Sequence, residues 1–155
     1  MRAKNNLMIA GIMILFSAIA LLVLFSDMFF VYPEFGGERG SAYFILFMYW
    51  EQDYNPTIPL IVAWCLQCVA VLALFAVPFL KEKPQAITLG VSGLLLIATA
   101  VTFLCAVPIY QWAQGDIIQE TASMSISYAP ICNAIFAGIA GLLGIYAGYT
   151  TFKNA

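Results

Sequence analysis

The sequence contains no histidine and very few charged residues. Charged residues make up 9% of the 155 positions and apolar residues 63%, whereas an ordinary soluble domain carries about 25% charged residues. So few charges cannot cover a globule with a water-soluble surface, and the composition therefore predicts that lipid surrounds most of the chain. Without histidine the commonest general base and the commonest metal ligand are missing. We therefore predict no catalytic constellation, no metal site and no cofactor.

Positive charge is also scarce. The net charge is −2, which leaves no basic face for binding phosphate backbones and argues against nucleic-acid binding. The length allows a single domain covering residues 1–155.

Long apolar runs dominate what is present. Four runs without a charge are each 20 to 24 residues long, and about 20 helical residues cross the hydrocarbon core of a bilayer. The sequence therefore predicts an all-α membrane protein, a bundle of four transmembrane helices. The predicted spans are Leu7 to Ser26, Ile58 to Leu80, Ala86 to Ile109 and Ala129 to Phe152, with outer loops at 28–57 and 110–128.

The distribution of basic residues predicts the orientation. Because lysine and arginine near helix ends stay on the cytoplasmic side, we expect both termini to be cytoplasmic and the protein to lie in the cell membrane. Five of the six basic residues agree with this topology, and the exception is Arg39 in the first outer loop. The five are Arg2, Lys4, Lys81, Lys83 and Lys153.

The first outer loop is about thirty residues long, and we predict that it is partly ordered. Its segment from Tyr43 to Trp50 is apolar, aromatic and too short to span a bilayer as a helix. It could form a strand over the bundle, lie as a helix in the headgroup layer or contact another protein, and it could also do no more than cap its own helices. The candidate contact residues are Tyr43, Phe44, Phe47, Tyr49 and Trp50.

Four cysteines fall within the predicted spans, at Cys65, Cys68, Cys105 and Cys132. Cys65-Leu66-Gln67-Cys68 is similar to the Cys-x-x-Cys pair of four-helix membrane thiol oxidoreductases of the DsbB and vitamin K epoxide reductase types, which implies redox chemistry. It departs from the DsbB pattern because no arginine follows. Thiols surrounded by hydrocarbon are poorly reactive, so a structural role and a Cys105–Cys132 disulfide are the competing interpretations.

The predicted spans contain two strongly polar side chains and a series of small residues. Gln67 and Asn133 need hydrogen-bond partners because lipid offers none. In the last span, glycines recur at spacings that allow close approach of helix backbones, either within the chain or to a second copy in a homo-oligomer. These glycines are Gly138, Gly141, Gly144 and Gly148.

These features favour a non-enzymatic membrane protein that acts through contacts with membrane-protein partners, as an accessory, assembly or structural subunit. A thiol–disulfide oxidoreductase using Cys65 and Cys68 is one alternative. A passive channel or small-solute transporter lined by Gln67 and Asn133 is the other, because the spans contain none of the charged residues typical of active transport. The arrangement of loops is similar to that of claudins and other tetraspan proteins, but the cysteine pattern of the claudin first loop is absent.

Overall fold

The structure is a computed structural model that describes residues 2–33, 40–42, 57–114 and 122–154. Its elements follow the order α1 (Arg2–Val23), β1 (Phe29–Pro33), β2 (Gly40–Ala42), α2 (Ile58–Ala76), a 3-10 turn (Val77–Phe79), α3 (Glu82–Leu104), α4 (Ala106–Gln114), β3 (Ala122–Ile126) and α5 (Tyr128–Lys153). Four of the helices, α1, α2, α3 and α5, are long and apolar enough to cross a membrane. The helical class and these four helices are as the composition predicted.

The four long helices pack in the ring order α1, α5, α3, α2, so that α1 lies diagonally opposite α3 and α2 opposite α5. The closest packing is between α3 and α5. Small residues make this approach possible, because Gly93 of α3 lies directly against the backbone of Gly141 and Ile145 in α5.

Two of the long helices end a few residues before a proline. α2 stops at Ala76 and gives way to a 3-10 turn that contains Pro78, and α3 stops at Leu104, four residues before Pro108. A proline ring clashes with the carbonyl group four residues earlier, so the chain breaks its helix at these points. The predicted third span ran on to Ile109, whereas the structure starts the separate helix α4 at Ala106.

Helix α3 also begins earlier than its apolar run. It starts at Glu82, so only Leu80 and Lys81 separate it from the 3-10 turn. Helix α1 likewise starts at Arg2, before the predicted start at Leu7, and ends at Val23. The apolar runs show which part of each helix lipid can surround. The helices themselves are longer, because polar residues next to the runs are also helical.

At one end of the bundle, the connection between α1 and α2 and the connection between α3 and α5 form a three-stranded antiparallel sheet of order β2-β1-β3. Phe30 is paired with Ser41 on one side and with Ser125 on the other. The backbone N–H of Ser127 donates to the carbonyl of Met28 at 3.0 Å and continues the β1–β3 pairing up to the start of α5. Strand β3 lies inside the predicted second outer loop, and α5 starts at Tyr128, one residue before the predicted start at Ala129.

The interior contains two apolar clusters. The larger lies among the four long helices and includes Met13, Leu74, Leu89 and Leu96. The smaller lies at the end of the bundle where the sheet is found and combines Leu24, Met28, Leu60, Phe103 and Tyr110. We call this end of the molecule the sheet end and the opposite end, where α1 begins and α5 ends, the termini end.

Candidate functional site

Two polar clusters lie inside the apolar bundle. The first surrounds Asn133, which is fully buried in the second turn of α5. Its side-chain Nδ2 donates to the carbonyl of Ala20 in α1 at 2.8 Å and to Oε1 of Gln67 in α2 at 3.2 Å. One amide group thus connects three helices, including the diagonal pair α2 and α5.

The Asn133 cluster is not fully satisfied by the protein. Within the part of the chain that the structure describes, Nε2 of Gln67 and Oδ1 of Asn133 are buried and have no hydrogen-bond partner. Buried polar groups cost free energy when unpaired, so such a cluster is retained at a cost in stability. Both side chains that the sequence marked as polar at membrane depth therefore meet in one place.

The second polar cluster lies at the termini end. Nδ2 of Asn6 donates to Oε1 of Gln85 at 2.9 Å, and Nε2 of Gln85 donates to the carbonyl of Val77 at 3.1 Å. The hydroxyl of Thr151 donates to Oδ1 of Asn6 at 3.1 Å. These bonds join α1, α3, α5 and the 3-10 turn, and they connect the other diagonal pair, α1 and α3.

Sequence reasoning missed Asn6 and Gln85 because both lie just outside the predicted apolar runs. The available signal was that each amide directly precedes a run, Asn6 before Leu7 and Gln85 before Ala86. An amide one residue beyond an apolar run can still lie inside the protein when the helix extends past that run.

The four glycines of α5 lie in different environments. Gly141, Gly144 and Gly148 contact α3, and a Cβ at Gly144 would collide with Met13 of α1 as well. Gly138 faces open space, since a Cβ built there meets nothing within 4 Å.

All four cysteines fall in the described helices or at their ends, and all four are free thiols. Cys65 and Cys105 are exposed on the outside of the bundle, while Cys68 and Cys132 are partly buried. Cys65 and Cys68 occupy adjacent turns of α2, where Cβ atoms three residues apart lie about 5–6 Å from each other. A disulfide needs a Cβ separation of roughly 3.5–4.5 Å, so closing this pair requires local distortion of α2.

This arrangement predicts a simple thiol count. Protein isolated under non-reducing conditions and denatured in excess N-ethylmaleimide should gain four maleimide groups by intact-mass measurement, the same number as after prior reduction. Reductant-dependent gain of two groups would instead show a disulfide, and peptide mapping would assign it to Cys65–Cys68 or Cys105–Cys132.

The five candidate contact residues, from Tyr43 to Trp50, lie outside the described residues. What the structure gives is the backbone on both sides: Ala42 ends β2, and the buried Thr57 precedes α2. Among the described residues no group of three histidine, cysteine, aspartate or glutamate side chains could hold a metal ion.

The outer faces of the long helices carry exposed apolar side chains. On α2 the side chains of Val62, Val69 and Leu72 point away from the bundle, and Leu72 is 68% exposed. Such a surface is typical of a helix that faces hydrocarbon. Together with the length and hydropathy of the four helices, it supports a small multi-pass membrane protein.

Comparison with known proteins does not assign the chain to a family. No family model matches the chain, and neither a curated protein nor a solved structure matches it.

Proposed function

We propose that this chain is a non-enzymatic membrane protein that acts by contacting other membrane proteins at its sheet end. The observation that carries the proposal is the three-stranded sheet, which joins both connections between helices into one unit. A sheet of this kind provides a fixed base for a binding surface, since ordering loops on binding costs affinity.

A buried apolar cluster lies at the same end of the bundle as the sheet. In it Met28, Leu24 and Phe103 are fully buried, and Tyr110 is nearly so. Because β1 is hydrogen-bonded on both sides, a movement of one connection would disrupt the other.

The contact surface we propose is the segment from Tyr43 to Trp50. It follows β2 directly, so its first residue continues from backbone that is paired with β1. Its composition also fits a contact role, because tyrosine, tryptophan and phenylalanine are enriched in the centres of protein interfaces. The expected partner is a membrane protein that presents a complementary apolar surface at the same level.

The orientation we propose has the termini end in the cytoplasm. Within the described residues every lysine and arginine belongs to that end, where α1 begins, where α2 connects to α3 and where α5 ends. Retention of positive charge on the cytoplasmic side then places the sheet on the opposite side of the membrane.

Site-specific photocrosslinking in native membranes tests the contact surface. A photoreactive amino acid at Phe47 or Trp50 should give a discrete protein adduct, because a partner covers these side chains. The matched control is Leu72, an exposed apolar residue on the outer face of α2, which should give lipid adducts and no discrete protein band. Absence of a protein adduct from both loop positions, at native expression levels, would contradict the proposal.

A further inference from the structure

An open apolar groove runs between α3 and α5 on the outside of the bundle, close to the termini end. Its volume is about 380 Å³. The base of the groove is formed by Ala86, Gly90 and Gly148, and larger side chains form its walls. Gly148 packs directly on the backbone of Gly90, whereas a Cβ at Gly90 would meet nothing within 4 Å. The groove therefore exists because two small residues bring the helices together without filling the space above them.

The walls of the groove are long apolar side chains. Ile87 and Leu94 line it on α3, and Tyr149 and Phe152 line it on α5. From Ala86 to Leu94 the groove follows α3 for about 12 Å at 1.5 Å per residue. Its shape and lining suit a hydrocarbon chain.

Positive charge is concentrated where the groove reaches the termini end. Lys83 lies one helical turn before Ile87, and Lys153 lies one turn after Tyr149, so both share the groove's side of their helices. Both lysines are exposed, as is Lys81. Glu82 is the one acidic residue that the described chain places at this end, so the groove ends in net positive charge.

We propose that this groove binds an anionic phospholipid, with an acyl chain lying along Gly90 and the phosphate at Lys83 and Lys153. The apolar groove provides contact for the chain, and the two lysines provide the preference for a negatively charged headgroup. Neither feature alone would select one lipid, because every bilayer lipid has acyl chains and every exposed lysine attracts phosphate. Their alignment on the same sides of two helices makes the site.

A helix from a second copy of the chain fits the same groove less well. A symmetric pair of copies joined through this face would bring Lys83 and Lys153 of each copy close to those of the other. Like charges that face each other across an interface oppose association. An anionic lipid neutralises these lysines instead.

Native mass spectrometry of the full-length protein in detergent tests the site. The protein is mixed with equal amounts of dioleoylphosphatidylglycerol and dioleoylphosphatidylcholine, which have the same acyl chains and differ in headgroup charge. We expect the first phosphatidylglycerol to bind about thirtyfold more tightly than phosphatidylcholine, because both Lys83 and Lys153 attract the anionic headgroup.

Two kinds of variant separate the parts of the site. Gly90→Leu fills the groove where there is room for a side chain and should abolish the tight phosphatidylglycerol adduct. Gly138→Leu adds the same side chain to the open face of α5 and should leave the adduct unchanged. Lys83→Gln combined with Lys153→Gln should reduce the preference between the two lipids to less than twofold. Val91→Trp, at the exposed wall of the groove, gives a second block that does not depend on Gly90.

Three results would overturn the proposal. Equal binding of the two lipids to the unmodified protein would remove the headgroup site. An unchanged phosphatidylglycerol adduct in both Gly90→Leu and Val91→Trp would place the lipid elsewhere. A protein that is dimeric in detergent and becomes monomeric in these variants would show that a second copy occupies the groove.

Discussion

Replacing Gly93 by leucine should destabilise the bundle strongly. A Cβ at this position would lie 2.6 Å from the carbonyl oxygen of Gly141 and 2.8 Å from the backbone nitrogen of Ile145. Both atoms belong to the backbone of α5, so no side chain can rotate away to make room. The helices would have to separate along their closest contact, at a cost of about 3 kcal/mol or more.

Thermal unfolding in a mild detergent, followed by circular dichroism, measures this effect. We expect the midpoint for Gly93→Leu to fall by roughly 10 °C or more, or the protein to fail to accumulate. Gly90→Leu is the matched control, because it adds the same side chain one turn away in the same helix, where a Cβ meets nothing within 4 Å. It should leave the midpoint unchanged or raise it slightly, since leucine favours a helix more than glycine does. Equal effects of the two substitutions would contradict the packing described here.

The glycines of the bundle show which part of the helix packing can be predicted from sequence. Small residues at four-residue spacing identify α5 as a helix that packs closely, but they do not distinguish positions in contact from positions that face outward. Gly144 and Gly138 belong to the same pattern, yet one meets Leu89 and Gly93 of α3 and the other faces open space. The rotation of α5 about its axis decides this, and it depends on its neighbours.

The helix boundaries follow a similar logic. Apolar runs locate all four long helices because a helix that crosses a bilayer needs about 20 consecutive apolar residues. The ends are set by other factors: Pro108 stops α3 before its apolar run is complete, and Gln85 lies inside α3 although it precedes that run. The β1–β3 pairing could not be predicted, since it joins residues about ninety positions apart whose sequences show no shared pattern.

The hydrogen bonds of the two polar clusters help to hold the helices together in lipid. Apolar contact gives helices little drive to associate inside a bilayer, because lipid tails are as apolar as leucine. Hydrogen bonds between helices are specific in direction, and here each cluster crosses a different diagonal of the ring. Asn6 and Gln85 connect α1 to α3, and Gln67 and Asn133 connect α2 to α5. The neighbouring helices α3 and α5 pack through small residues, and each diagonal pair is joined by a hydrogen bond between two side-chain amides.

This arrangement predicts unequal effects at Asn133 and Gln67. Asn133→Leu removes both hydrogen bonds of the cluster and leaves Oε1 of Gln67 and the carbonyl of Ala20 without this donor. We expect a loss of about 2 kcal/mol, the usual cost of leaving buried polar groups unpaired. Gln67→Leu removes one acceptor together with its own unpaired Nε2, while Asn133 keeps its bond to Ala20. Its cost should be below about 1 kcal/mol.

A double-mutant cycle in detergent measures the coupling between the two side chains. Once Asn133 is leucine, Gln67 loses its hydrogen bond in the cluster, so replacing it as well should recover part of the lost stability. The expected coupling is about 1 kcal/mol, within the range for hydrogen bonds between transmembrane helices. Thr102→Leu is a suitable control, because its hydroxyl donates to the carbonyl of Ala98 in its own helix, and it should cost less than Asn133→Leu. Purely additive effects of the two core substitutions would show that Asn133 stabilises the bundle through Ala20 alone, and that α2 and α5 are not joined by this bond.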